Sequence, residues 1–496
     1  MSGPAGPLVE PIRYGTPTAR WVLLATILGS GLAGVDATVV NIALPSIGKD
    51  LGVGFSTLQW TVTAYTLTLA SLILLGGALG DHYGRRRVFV IGVVWFAVAS
   101  LLCGVAPSAS LLIAARALQG VGAALLTPGS LAMIQATFAP QDRARGIGAW
   151  SGFSGVATAV GPFIGGWLIG VASWRWVFLI NLPLAVVVVF VTERHVPETR
   201  DPMATGRIDL LGGLLGMLGL AGITYAIIEI PDKGAGSPQV VVAAVVGVLA
   251  MVSFVVAEWR MPHPMMPLMI FRSRQFSAAN AVTFVVYGAF GGIFFLLPIQ
   301  LQVVSGFSAL EAGIAILPIT VVMLLLSARA GQLAQRIGPR LPMSLGPVIC
   351  AVGVLMLLSV GPGASYLTDV LPGVTVFALG ISLLVAPLTA TVLAAVDARH
   401  AGIASGVNNA VARAAGLIAV AALPGIAGIS GHDDQNPVTF NDGFRTALII
   451  AAGMLVVGGV LALATIRNEL QPELEQPMCC PVAAPQLAVL DEAPTA

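Results

Sequence analysis

Two ionisable side chains stand where a chain this apolar has least reason to carry them. Asp36 lies in LAGVDATVVNIALP (32–45) and Arg116 in IAARALQGVG (113–122), each within a long apolar run. A carboxylate in such a setting is costly, and its protonation balance depends on burial and on any opposite charge nearby. It can serve as a proton carrier whose state changes with its surroundings, or as one half of a fixed ion pair that only positions helices. A second grouping, GALGDHYGRRRV (77–88), crowds Asp81, Arg85, Arg86 and Arg87 among Gly77, Gly80 and Gly84, in a chain with only 9% charged residues. The glycines permit a tight turn, and the charges can meet acids or helix ends. A third charge, Arg413, sits beside Asn408 and Asn409 in another apolar run, with no acid at matching depth in that half of the chain.

The elements that position these residues follow from composition. Of 496 residues, 57% are hydrophobic, and the mean hydropathy is +0.92. Soluble domains run near 45–50% apolar with about a quarter of residues charged, so a polytopic membrane protein is expected. The net charge of +1 gives no footprint for nucleic acid. The four cysteines (Cys103, Cys350, Cys479, Cys480) lack metal-ligand or disulfide spacing, and no metal site is expected. The five histidines all fall near loops, which argues against an intramembrane enzyme. No phosphate-binding loop is present, so no cofactor is expected and the energy would come from an ion gradient or a separate protein. Residues 1–19 have no cleavable leader pattern.

Runs of about 20 apolar residues mark membrane spans. Fourteen are predicted: 21–44, 57–79, 88–106, 109–136, 145–171, 176–192, 209–230, 239–258, 276–302, 310–330, 341–360, 369–395, 401–428 and 445–466. With the N-terminus inside, eighteen of the 24 Lys and Arg fall on the cytoplasmic side, four outside and two within spans. That asymmetry satisfies the positive-inside rule and places both termini in the cytoplasm. The loop 429–444 is expected to be external and polar. Asp36 then lies about 12 Å from the outer end of span one and Arg116 about 10 Å into span four. Asn41 is expected to bond a neighbouring helix, and Pro45 to mark the end of the first.

The turn at 77–86 recurs as GQLAQRIGPR at 331–340, with Gly331, Leu333, Gly338 and Arg340 repeating Gly77, Leu79, Gly84 and Arg86, and Gln335 replacing Asp81. A repeat of this kind suggests two halves with a substrate site between them near the midplane. The expected fold is all-α: a cytoplasmic tail (1–20), a six-helix bundle (21–192), a linker with two inserted helices (193–260), a second six-helix bundle (261–467) and a disordered tail (468–496).

GALGDHYGRRRV resembles the loop signature of the major facilitator superfamily. VDATVVNIALP (35–45), RALQGVG (116–122), GFSGVATAVGPFIGG (152–166), WRWVFLINLP (174–183) and ASGVNNAVAR (404–413) resemble, in order, motifs of its fourteen-helix drug:proton antiporter branch. The resemblance implies alternating access and proton-coupled efflux of hydrophobic drugs or antibiotics, from a bacterial inner membrane. A lipid or specialised-metabolite transporter on the same fold is the alternative. It implies proton coupling through Asp36 and Arg116, a conformational latch at Gly77, Asp81, Gly84, Arg85 and Arg86, and a gate in span five at Gly161, Pro162, Gly165 and Gly166. Candidates for the substrate cavity are Gln59, Trp60 and Tyr65 on span two, Tyr287 and Phe290 on span nine, and Arg413. The expected partners are a small hydrophobic or monocationic substrate, protons and the lipid bilayer, with the protein acting as a monomer.

Overall fold

The computed structural model describes residues 11–201, 208–262, 264–397, 401–431, 433 and 436–468. Within them lie fourteen helices long and apolar enough to cross a membrane. We number them α1 (Pro17–Leu51), α2 (Phe55–Tyr83), α3 (Arg85–Gly104), α4 (Ala109–Thr137), α5 (Arg143–Val171), α6 (Trp176–His195), α7 (Leu210–Lys233), α8 (Pro238–Arg260), α9 (Arg274–Val304), α10 (Ala309–Ile337), α11 (Arg340–Ser359), α12 (Tyr366–Ala394), α13 (Gly402–Ile426) and α14 (Pro437–Thr465). The protein is a multi-pass membrane protein. Its odd-numbered helices start, and its even-numbered helices end, on the face that carries the arginine-rich turns. We call this the basic face and its opposite the far face.

Local chemistry sets the ends. Thr16 and Ser108 accept bonds from the first turns of α1 and α4, and Ser308 with Glu311 forms a reciprocal capping box on α10. Helix α1 ends at Gly52, in the left-handed conformation that favours glycine. Two expectations are corrected here. Pro45 does not end α1, which continues to Leu51: its missing N–H falls inside a helix already packed by neighbours, which membrane helices accommodate. The loop expected at 429–444 is shorter, because α14 starts at Pro437, capped by Asn436, and buries Phe440 and Phe444. The first ten residues and the acidic tail after Asn468, with Cys479 and Cys480, lie outside the described residues.

The two sets of six helices pack by the same plan. In the first, α1 packs on α5 and α6, α2 on α4, and α3 on α4 and α6; in the second, α9 packs on α13 and α14, α10 on α12, and α11 on α12 and α14. Small residues let the third and fourth helices of each set approach closely: Gly92 against Gly122, and Gly346 against Gly380. Helices α7 and α8 pair with each other, and α7 lies against both α2 and α13.

The halves meet mainly towards the far face. Phe55 packs its ring on Phe295 and Phe440, Gln59 donates to the carbonyls of Val420 and Ala421, and Gln302 donates to that of Ile42. As expected, Asn41 bonds a neighbour, the Phe294 carbonyl at 3.3 Å. Towards the basic face, α2 and α13 stay in touch at Leu74 and Gly406, but α4 and α12 form no seam. One side of the basic-face half of α5 is bare, since added methyl groups at Gly148, Gly152 and Gly155 would meet nothing within 4 Å and Phe153 is 62% exposed, while the other packs on its own half through Gly146 and Trp150. The halves are closed against each other at the far face, and the contacts between them thin out towards the basic face.

Candidate functional site

Asp36 is completely buried, and it is fully committed. Its Oδ2 accepts from an Arg116 Nη at 2.5 Å, and its Oδ1 accepts from Gln119 Nε2 at 2.7 Å and Asn181 Nδ2 at 3.2 Å. Arg116, 1% exposed, also donates Nε–H to the Thr61 carbonyl at 3.0 Å and an Nη–H to Gln119 Oε1 at 2.6 Å. Its guanidinium lies 4.3 Å from the Tyr65 ring centroid, a cation–π contact strengthened by desolvation. Ser100 Oγ ties Gln119 and Asn181 together from α3. Five helices of the first half therefore converge on one carboxylate. An ion pair removed from water in this way persists only if nearly every polar atom is satisfied.

Of these residues, Asp36 and Arg116 were expected on chemical grounds, and they form a direct pair. Gln119, Ser100 and Asn181 were missed. Gln119 is one helical turn from Arg116, a spacing that brings side chains together, so it was within reach of sequence reasoning. Asn181 lies in the quoted WRWVFLINLP, but nothing in its neighbourhood there points to a residue 145 positions away.

The glycine–proline motif of α5 has two working faces. Gly161 and Gly165, one turn apart, rest on Val35, Thr38 and Val39 of α1, and Thr38 Oγ1 donates to the Thr158 carbonyl at 3.0 Å. Pro162 and Gly166 face α10: a methyl group at Gly166 would come 2.6 Å from Leu310 Cα, and one at Gly313 would come 2.8 Å from the Pro162 carbonyl carbon. One strip of α5 thus grips the helix that carries Asp36, and the adjacent strip closes the far face against the other half.

The arginine-rich turn is held within its own half. Asp81 and Arg85 pair at 2.8 Å. Gly84 has φ +113°, and Glu198, three residues past α6, lies directly over it. The two Glu198 carboxylate oxygens accept from the backbone N–H of Arg86 at 3.0 Å and of Arg87 at 3.1 Å, capping α3. Arg86 itself reaches the Val196 carbonyl. The second half repeats the device: Gly338 has φ +86°, and Asn468, three residues past α14, accepts from Arg340 N–H at 3.0 Å. Gly77, singled out in the motif, is in ordinary contact with Pro128; the close approach of α2 to α4 is made by Gly76, beside the Ala124 carbonyl. A carboxylate cap binds backbone donors more strongly than an amide does. Glu198→Ala is therefore expected to lower stability by about 2 kcal/mol and Asn468→Ala by about 1 kcal/mol, read by thermal unfolding of the purified protein.

The residues proposed for the cavity are dispersed. Gln59 is spent on the far-face seam, and Tyr65 is buried under Arg116, its hydroxyl turned to the Ala33 carbonyl. Trp60 donates to Glu229 of α7, which also pairs with Lys233 at 3.0 Å, so it fastens the inserted helices to the first half. Phe290 packs with Phe294, Phe377 and Tyr287 in an aromatic cluster of the second half. Arg413 is half-buried on α13, between the halves.

A family model described as Major Facilitator Superfamily matches residues 26–421. The chain is 37% identical over 394 residues to the multidrug resistance protein Stp of Mycobacterium tuberculosis, covering 79% of this chain and 73% of that protein. It is 36% identical over 476 residues to the puromycin resistance protein pur8 of Streptomyces alboniger, covering 93% and 94%. Among solved structures, a bacterial homologue of the human lysosomal transporter Spinster, inward-facing and unoccupied, superposes with a TM-score of 0.64 at 17% identity, over 91% of this chain and 97% of that one.

Proposed function

The chain belongs to the Major Facilitator Superfamily, and from that premise we propose that it exports small hydrophobic drugs or antibiotics from a bacterial cell, driven by proton entry through Asp36 and Arg116. Relatives named for drug and antibiotic resistance, alike over most of their length, support the export reading. The observation that carries the proton reading is the buried Asp36: it is the acid of the first half that lies deep in the membrane, its partners come from α4 and α6, and α1 hands its position directly to the far-face contact through Gly161, Gly165, Pro162 and Gly166. The basic face is the cytoplasmic one, which makes the state closed at the far face the one that loads substrate. Asp81 and the arginines of the first turn, now engaged within their own half, are available to latch the second half when that face closes.

The test is efflux in cells stripped of their own pumps, against a chemically broad panel. Expression should lower accumulation of several panel members several-fold, and an uncoupler should erase the difference. If no member is exported, the drug reading fails and lipid or a single specialised metabolite takes its place. Export that survives the uncoupler removes the proton.

A further inference from the structure

The two arginines inside the membrane are treated in opposite ways. Arg116 donates to a carboxylate, an amide and a carbonyl and lies over a ring. Arg413, at the midpoint of α13, has no hydrogen-bond or ion-pair partner among the described residues, and is only half-buried. Its place is fixed by its neighbours. Gly406, seven residues earlier on the same face, touches Leu74 of α2, and Ala410, three residues earlier, packs on the apolar core of the first half. Asn408 is turned away towards Asn280 and Thr283 of α9, while Asn409, one turn before Arg413, is exposed. Arg413 therefore stands between the halves.

A guanidinium at this depth without a counter-charge is costly, and no acid among the described residues pairs with it. Asp36 is sealed with Arg116, Glu229 pairs with Lys233, Glu258 accepts from the Met266 N–H, and Glu311 caps its own helix. No acid among the described residues supplies the counter-charge, which leaves a bound compound to supply it. We infer that Arg413 receives an anionic group, a carboxylate in the simplest case, on the transported compound. Its fork of donors matches the two oxygens of a carboxylate, and Asn409 supplies an amide one turn away. The inference rests on the export reading and narrows it: the cavity favours substrates with an acidic group over the monocations expected from the sequence.

Pyrenebutyrate and its methyl ester, which share one apolar body and differ in charge, provide the test. Binding to purified protein in nanodiscs of zwitterionic lipid is read by energy transfer from tryptophan, with empty nanodiscs as baseline. Wild type should bind the acid roughly tenfold more tightly than the ester, the scale of one charge-assisted pair. Arg413→Gln should bring the acid down to the ester while leaving the ester unchanged, and Arg413→Lys should keep part of the preference. Equal affinity of wild type for the two probes, binding of neither, or an Arg413→Gln protein that loses both alike overturns the inference. Energised export is measured separately, so a protein that binds the acid selectively but exports nothing counts against the export reading alone.

Discussion

Asp36→Asn should leave a folded protein that can no longer concentrate any substrate against a gradient. Asparagine keeps the size of aspartate and one oxygen for Gln119 and Asn181, but it turns an amide N–H towards Arg116, where Oδ2 accepted at 2.5 Å. The guanidinium is left buried without its counter-ion. Breaking such a pair costs about 3–5 kcal/mol in the general case, and asparagine, which retains half the bonds, should sit near the low end, about 3 kcal/mol. The structural cost and the functional one are separable. In proteoliposomes, the variant should still exchange labelled for unlabelled substrate without a pH gradient, because the neutral side chain imitates the protonated state. It should show no accumulation when a gradient is imposed. An Asp36→Asn protein that still accumulates substrate with an imposed gradient would take Asp36 out of the proton path. In that event the buried pair is a strut, and its role is to hold α1 against α4 and α6.

How much of this was legible in the sequence depended on whether a residue's partner was near in the chain. The spans were readable because each needs only its own apolar run, and the repeat at 77–86 and 331–340 because it is a comparison of the chain with itself. Asp36 and Arg116 were readable as anomalies: a charge in hydrocarbon asks for an explanation wherever its partner is. Residues whose types are unremarkable in a membrane helix were not. Asn181 and Ser100 become part of the site only once α3 and α6 are placed against α1, and Glu198 caps α3 from 112 residues away. The aromatic candidates show a related limit. A ring in a spanning helix can face lipid, core or cavity at equal local cost, and Tyr65 and Phe290 went to the core. Pro45 misled because proline ends helices in water more strictly than it does where neighbouring helices satisfy the freed carbonyl.

Gly313→Val should pry the far face open and stop transport. In the present state α5 and α10 meet there backbone to backbone: Gly313 lies on the Pro162 carbonyl, and Gly166 on Ala309 and Leu310. A flexible side chain could yield to added methyl groups, but here the obstacle is main chain on both helices, so relief requires the helices to separate. Overpacking of this kind costs about 1–3 kcal/mol. Set against two states that differ by only a few kcal/mol, a penalty of that size shifts their ratio by roughly 5- to 150-fold, away from the state that is closed at the far face. Spin labels at Val171 and Ile314, both exposed near that end of α5 and α10, should report a longer distance in Gly313→Val than in wild type. Gly166→Val should do the same, and the double variant should add little, because both residues act on one seam. Gly313→Ala, with a single methyl, should fall between. The result that would defeat this account is a wild-type distance distribution in a variant that has lost transport. The glycines would then matter for the substrate path, and the closing of the far face would have to be sought at Phe55, Phe295 and Phe440, whose rings form the other large contact between the halves at that end.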